Sequence, residues 1–340
     1  MYQAFDHEGK HYHTNYPFSF VCYCWQKVPN TIYLRSRLYL FLADFRLFLR
    51  PYIPGMRLMT TILLAATFLL EGVHAFCQNT ILWQITKTGS THTSYLLGTY
   101  HQMGNSFIDS LPRIKKELTR ADVAVFESIG DPQKVKDVLN QRQPTNDIES
   151  ALSNDDMASL LTISKNWGVD VHKLKPMELY AKLQQEYFKT TCGTVLPTDK
   201  WDHFDNYLIH LARSNNIRLN AFETDSMQMD AINRSGGEWK EMKKPIHFWI
   251  HTTMEPRKDD KKCADAHNYM AFKFDYGLDK PCSNDVILGD RNREWLKKLP
   301  ALLESNNCFI AVGLFHLFTN CGLIAQLREM GYTVEPVILR

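Results

Sequence analysis

One short pattern occurs twice in this chain, near opposite ends of its folding region. Tyr95-Leu-Leu leads into Gly98-Thr-Tyr-His101, then a helical stretch, then an apolar run ending in Val125-Phe-Glu127. Near the C-terminus, Phe309-Ile-Ala-Val leads into Gly313-Leu-Phe-His316, a second helical stretch and a run carrying Val334-Glu335. Each copy reads as strand, Gly-x-x-His, helix, strand, the crossover unit of parallel sheets. Two copies predict an α/β fold with a central mixed, largely parallel sheet, flanking helices and two pseudo-symmetric halves. A glycine directly after a buried strand lets the backbone turn sharply and leaves room for a ligand. A histidine three residues later lies over the strand ends, so both histidines fall at the carboxyl edge of the sheet, where open α/β folds bind their ligands.

The intervening chain supplies the remaining elements. Ile81 to Ile85 alternates like an edge strand and is followed by a turn at Thr88-Gly-Ser90. Leu111 to Arg120 has helical spacing, with Pro112 in the first turn. Helices are predicted at 132–142, 147–165, 176–189, 201–215 and 225–234, with a strand from Ile217 to Glu223. The stretch 236–285, with the charge run Arg257-Lys-Asp-Asp-Lys-Lys262, reads as a helical insert or cap with a solvated loop. Asp290 to Ser305 reads as a helix N-capped by Asp290, Cys308 to Val312 as a buried strand, Leu323 to Met330 as a helix and Tyr332 to Val337 as a last strand.

Composition enters as a filter. Lys and Arg number 39 against 37 Asp and Glu, a formal charge of +2, which argues against a nucleic-acid partner. A hydrophobic share of 44% is enough for a sizeable core and excludes general disorder. The longest apolar run, Leu58 to Leu70, is too short to span a bilayer, so no stable membrane span is expected in the mature chain. With Arg57 before that run and Val73-His-Ala75 after it, residues 56–75 read as a secretory signal peptide cleaved after Ala75. Residues 1–55 are then a spurious or disordered extension, and 76–340 an exported α/β domain that is periplasmic, cell-surface or secreted. Cys77, Cys192, Cys263, Cys282, Cys308 and Cys321 follow the leader. An even count in an exported chain permits disulfides, but their pairing is not readable from spacing.

The chemistry resides in the two motifs and the carboxylates near them. His101, His316 and Glu127 make a two-His, one-carboxylate set that can hold a divalent ion while leaving positions open for water and substrate. Such an ion makes bound water acidic enough to attack a carbonyl near neutral pH. Without metal, the same residues could work as an acid–base group. Glu127 ends an apolar strand, where an unpaired carboxylate is costly, and Glu223 repeats that placement after Leu219-Asn-Ala-Phe. Arg291 could neutralise an oxyanion, or simply pair with Glu127 or Glu223. His203 and His210 read as surface or packing residues, and no phosphate-cradling glycine loop occurs.

Several blocks resemble the TraB/GumN family, whose eukaryotic relatives include the TIKI metalloproteases. They are YLLGTYH, LPRIKKELTRADVAVFES, FDNYLIHLARSNNIRLNAFETD and the C-terminal RNREWLKKLPALLES to YTVEPV segment. The resemblance implies a fold related to the erythromycin-esterase and ChaN-like group, with both Gly-x-x-His motifs in the site. For the TIKI branch it implies a peptidase dependent on manganese or cobalt, with zinc a further option. The positions it carries over are His101, Glu127, Arg291 and His316, with Glu223 from the middle block. The first motif has Tyr where family members often have Ile or Val before the His, and the second continues Leu-Phe-Thr-Asn. The expected function is metal-dependent hydrolysis of a peptide or small-molecule substrate. The rival readings are a non-catalytic binder of haem, metal or peptide in the same cleft, and an esterase.

Overall fold

The computed structural model describes residues 80–256, 261–282 and 285–340. The expected leader at 56–75, the extension 1–55, Cys77 and the first four residues of the charge run, 257–260, lie outside these residues.

Six strands form one sheet: β1 (Leu82–Thr86), β2 (Ser94–Thr99), β3 (Val123–Phe126), β4 (Arg218–Ala221), β5 (Cys308–Gly313) and β6 (Thr333–Pro336). Their order is β4-β3-β5-β2-β1-β6. The β4, β3, β5 and β2 pairings are parallel, while β1 runs antiparallel to both β2 and β6. All four residues of β3 and the first five of β5 are buried, the continuous apolar run of a parallel strand covered on both faces. The fold is therefore α/β with a mixed, largely parallel sheet.

The two motif strands, β2 and β5, are direct neighbours, with Gly98 opposite Val312 and Thr99 opposite Gly313. Strict twofold symmetry would put β6 beside β2, as β3 sits beside β5. Instead β1 takes that place and displaces β6 to the edge. The prediction of β1 as an edge strand is corrected by the same arrangement. Leu82, which shares a face with the polar Gln84, is fully buried, and on the opposite face Trp83 is buried with its ring 5.1 Å edge-on from Tyr276.

Helices α1 (Asn105–Asp109) and α2 (Pro112–Thr119) link β2 to β3. Helices α3 (Pro132–Asn140), α4 (Asp147–Ala151), α5 (Asn154–Ile163), α6 (Pro176–Thr191) and α7 (Phe204–Ser214) lie between β3 and β4. Then come α8 (Asp225–Arg234), α9 (Trp239–Met254), α10 (Ala264–Met270), α11 (Asp290–Ser305) and α12 (Leu323–Glu329). The single helix predicted over 147–165 is broken before α5, where Ser153 and Asp156 form a reciprocal capping box. Asp290 is not the predicted N-cap: a π-helical turn, Asp285–Gly289, feeds directly into α11, and the Asp290 carboxylate pairs with Arg293.

The expected insert is α9 and α10, and they go to different places. α9 packs on α6 and α5, and its Met242, Ile246, Trp249 and Ile250 enter a second apolar cluster with Leu160, Leu183 and Tyr187. α10 returns to the sheet, where the Tyr269 hydroxyl donates to the Gly98 carbonyl at 2.7 Å. Disulfides join Cys192 to Cys263 and Cys282 to Cys321, while Cys308 is a buried free thiol on β5. Among the described residues no helix is long and apolar enough to cross a membrane.

Candidate active site

Four parallel strands end on the same edge of the sheet, and each delivers a site residue just past its end. His101 follows β2, Glu127 follows β3, Glu223 follows β4 and Gly313 closes β5 ahead of the turn carrying His316. Backbone pairing of β3 with β4 runs on to the Glu223 amide, which donates to the Glu127 carbonyl at 2.9 Å, so the two glutamates are held side by side.

Both carboxylates are buried and share one cation. Arg291, in the first turn of α11, donates from Nη2 to Glu127 Oε2 at 2.6 Å and from Nε to Glu223 Oε1 at 2.8 Å. Glu127 also accepts from the Gly313 amide at 2.6 Å and from Gln228 Nε2 at 3.0 Å. Burial alone would raise its pKa, but His316, Arg291, His101 and the Gly313 amide hold it far below the usual carboxylate range. Trp295, one turn along α11, donates from its indole to Glu223 Oε1, stacks on Phe222 and lies against the His316 ring at 4.3 Å. Of the two roles expected for Arg291, the structure displays the pairing one. Its Nη1 also reaches the Ile287 carbonyl at 3.3 Å and His316 Nε2 at 3.2 Å.

The two motif histidines are held differently. His316 is buried, and its Nδ1 lies 2.7 Å from Asn292 Oδ1. That bond makes Nδ1 the protonated nitrogen and turns the Nε2 lone pair toward Arg291. Its Nε2 is 3.7 Å from Glu127 Oε1. Burial lowers the His316 pKa and the Arg291 guanidinium lowers it further, to about 3 despite Glu127, so the ring is neutral at pH 7. His101 is partly exposed, and its Nδ1 lies 2.6 Å from Asp205 Oδ2. Burial opposes its charge, but Asp205 prevails and, with Glu127, lifts the pKa to about 9. Asp205 is itself buried and fixed by the Thr99 hydroxyl at 2.8 Å.

A residue passed over in the sequence completes this side. His203 stacks on His101 with ring centroids 5.4 Å apart, and its Nδ1 lies 3.7 Å from Asp205 Oδ2. That Nδ1 is buried and has no hydrogen-bond partner. Burial holds its pKa down to about 4, although Asp205 pulls the other way. Ligand atoms of His101, His203 and Asp205 all lie within 4.8 Å of one another, so this group could hold a metal ion. The expected set of His101, Glu127 and His316 lines the same edge. It is not among the groups whose ligand atoms lie that close. Both halves face one shelf: a Cβ built on Gly313 would lie 3.1 Å from Glu127 Oε1 and 3.4 Å from His101 Nε2.

Residues 81–336 match the TraB/PrgY/gumN family. This chain belongs to that family. The match begins just before β1 and ends with β6, so the sheet and every site residue named above lie inside the TraB/PrgY/gumN region. No curated protein and no solved structure matches the chain. The sequence signal for the His203 and Asp205 pair is slight: Asp205 stands two positions after His203, in the first turn of a helix with an apolar face.

Proposed function

We propose that this TraB/PrgY/gumN protein is an exported, metal-dependent hydrolase of peptide bonds. The observation that carries the reading is the convergence, on one sheet edge, of ionisable groups that lack one divalent charge. The carboxylates of Glu127 and Glu223 share the single guanidinium of Arg291, and Asp205 is paired with His101. His101, protonated at pH 7 without an ion, would give up that proton on ligation, after which these groups would carry two negative charges in excess, which a divalent cation such as manganese, cobalt or zinc would balance.

The residues fit such an ion. His101 has Nδ1 tied to a carboxylate and Nε2 directed at the Gly313 shelf, the support a metal-bearing imidazole needs. The unpartnered Nδ1 of His203 is a second buried donor beside Asp205. His101 would hold the ion through Nε2 while Asp205 fixes the ring through Nδ1, with His203 beside them and Glu127 supplying charge across the shelf. An ion there would polarise a substrate carbonyl and acidify bound water. Glu127, kept ionised by its partners, is a poor proton acceptor and serves as a fixed negative charge. Arg291, paired with both glutamates and next to His316, would be the nearest cation to negative charge developing on a bound substrate. The two disulfides support an oxidising, extracytoplasmic destination.

The test is metal content and peptide cleavage of the purified protein beside His101→Ala, His203→Gln and His316→Gln. We expect His101→Ala to lose the ion and cleavage, and His203→Gln to weaken metal binding. His316→Gln should keep the ion yet lose about 10²–10⁴ in turnover. Loss of the ion in His316→Gln would restore the ligand set expected from the sequence. Equal cleavage by all four proteins would reject a hydrolase at this edge.

A further inference from the structure

A second cluster of metal-ligating side chains lies in the helical layer and shares no residue with the sheet-edge site. His247 and His251 are four apart on α9, on one face of the helix. His247 Nδ1 lies 2.8 Å and His251 Nε2 3.2 Å from the same oxygen, Oδ1 of Asp156. The three ligand atoms all lie within 4.8 Å of one another. We propose that Asp156, His247 and His251 form a binding site for a borderline divalent transition metal such as zinc, clipping α5 to α9.

Three features of the cluster support a ligand rather than a chance meeting of side chains. The carboxylate is preset: Asp156 is 3% exposed, and its other oxygen, Oδ2, accepts from the Ser153 hydroxyl at 2.8 Å within the capping box of α5. Burial would favour the neutral acid, but the Ser153 and His247 bonds hold Asp156 below its ordinary pKa, so it presents a full negative charge. The imidazoles are about half exposed, 53% and 54%, which leaves an entry path and room for water as a fourth ligand. The spacing is also close to what coordination requires. Tetrahedral zinc with bonds of about 2.0–2.1 Å sets its ligand atoms roughly 3.3 Å apart. The present separations to Asp156, 2.8 and 3.2 Å, are within about half an ångström of that. Two imidazoles and one carboxylate suit zinc, copper, nickel or cobalt, and suit magnesium or calcium poorly.

The clip would act on packing already in place. α9 turns Ile246, Trp249 and Ile250 into the second apolar cluster and His247 and His251 outward, so coordination would tie its outer face to the start of α5. The sheet-edge site is kept out of the measurement by working in a His101→Ala background. Equilibrium dialysis against zinc should then find one more zinc per chain in the full-length protein than in the same protein carrying His247→Gln and His251→Gln. Cobalt should give the intense visible bands of a tetrahedral site only when both histidines are present. Zinc should raise the thermal midpoint of the first protein by several degrees and leave that of the second unmoved. Both substitutions are at solvent-facing positions, and circular dichroism checks that the helices persist. Equal zinc counts in the two proteins, whether zero or one, would overturn the proposal, as would an equal thermal shift.

Discussion

The two Gly-x-x-His loops invite a direct comparison, because the motif is the same and the outcome is not. His101 rests its Nδ1 on a carboxylate, Asp205, and His316 rests its Nδ1 on an amide, Asn292. The first ring is partly open and its pKa rises to about 9, while the second is buried beside a guanidinium and falls to about 3. The glycines differ in the same way. A Cβ on Gly98 would meet Leu314 Cδ1 at 2.7 Å and Leu314 Cα at 3.2 Å, so this glycine serves packing between β2 and the turn after β5. The three atoms nearest a Cβ on Gly313 all belong to the side chains of Glu127 and His101, so this one faces the candidate site. The motif sets where each ring lies, and the helix packed beside it sets what charge the ring carries.

The largest effect comes from removing the cation that separates the two loops. Arg291→Met leaves Glu127 and Glu223 buried without their shared partner, a loss of about 3–5 kcal/mol for a broken buried pair. Urea denaturation should show this as a lower midpoint, and His316 should titrate upward once the guanidinium is gone. A midpoint that does not move would mean that Arg291 is not the counter-ion of these carboxylates.

Exchanging the partner of the other ring comes next. Asp205→Asn makes the first loop resemble the second, and His101 should drop by about 1–3 pH units, read from its imidazole proton resonances in metal-free protein. The sign for stability follows from the shift. His101 rises from 6.5 to about 9 on folding, so its pairing contributes fully below pH 6.5 and is lost as pH climbs through about 9. Asp205 is lowered from 3.8, so its share is present above that value and fades as the pH falls toward its depressed folded-state pKa. The wild-type protein should therefore lose stability between pH 6.5 and about 9, where Asp205→Asn stays flatter. Parallel pH profiles for the two proteins would show that the pair is not coupled to folding.

Much of this was legible in the chain. Apolar runs ending in glycine or glutamate located β2, β3 and β5, and the strand–loop–helix order gave a largely parallel sheet. The placement of His101, Glu127, Glu223 and His316 at one edge follows from that order, since each stands just past a strand end. What spacing does not carry is a contact made across the sequence. Asp205 meets His101 from 104 positions away, and Asn292 meets His316 from 24. His203 sits at the entry to α7, and only the fold of the β2 loop stacks it on His101. The inner place of β1 depends likewise on its pairing with β6, which no local pattern announces. His247 and His251 do stand at helical spacing, but their partner Asp156 lies on another helix.

The smallest effect separates the two glycines. Gly313 sits at φ −53°, an ordinary value for any residue, so alanine there brings no backbone strain. Its added methyl would lie 3.1 Å from Glu127 Oε1, which its partners hold in place, yet near no backbone atom among its three nearest neighbours, so Gly313→Ala should cost about 1 kcal/mol at most. Gly98→Ala presses on a buried leucine and its backbone and should cost about 1–3 kcal/mol, as overpacked cores do. The order of costs reverses for chemistry. The Gly313 methyl would occupy the shelf between Glu127 Oε1 and His101 Nε2, so metal retention should fall in Gly313→Ala at near-native stability, while Gly98→Ala should keep its metal wherever it remains folded. Urea midpoints beside metal content decide between them: equal midpoints, or metal lost only from Gly98→Ala, would mean that the two loops are not divided into a packing half and a working half.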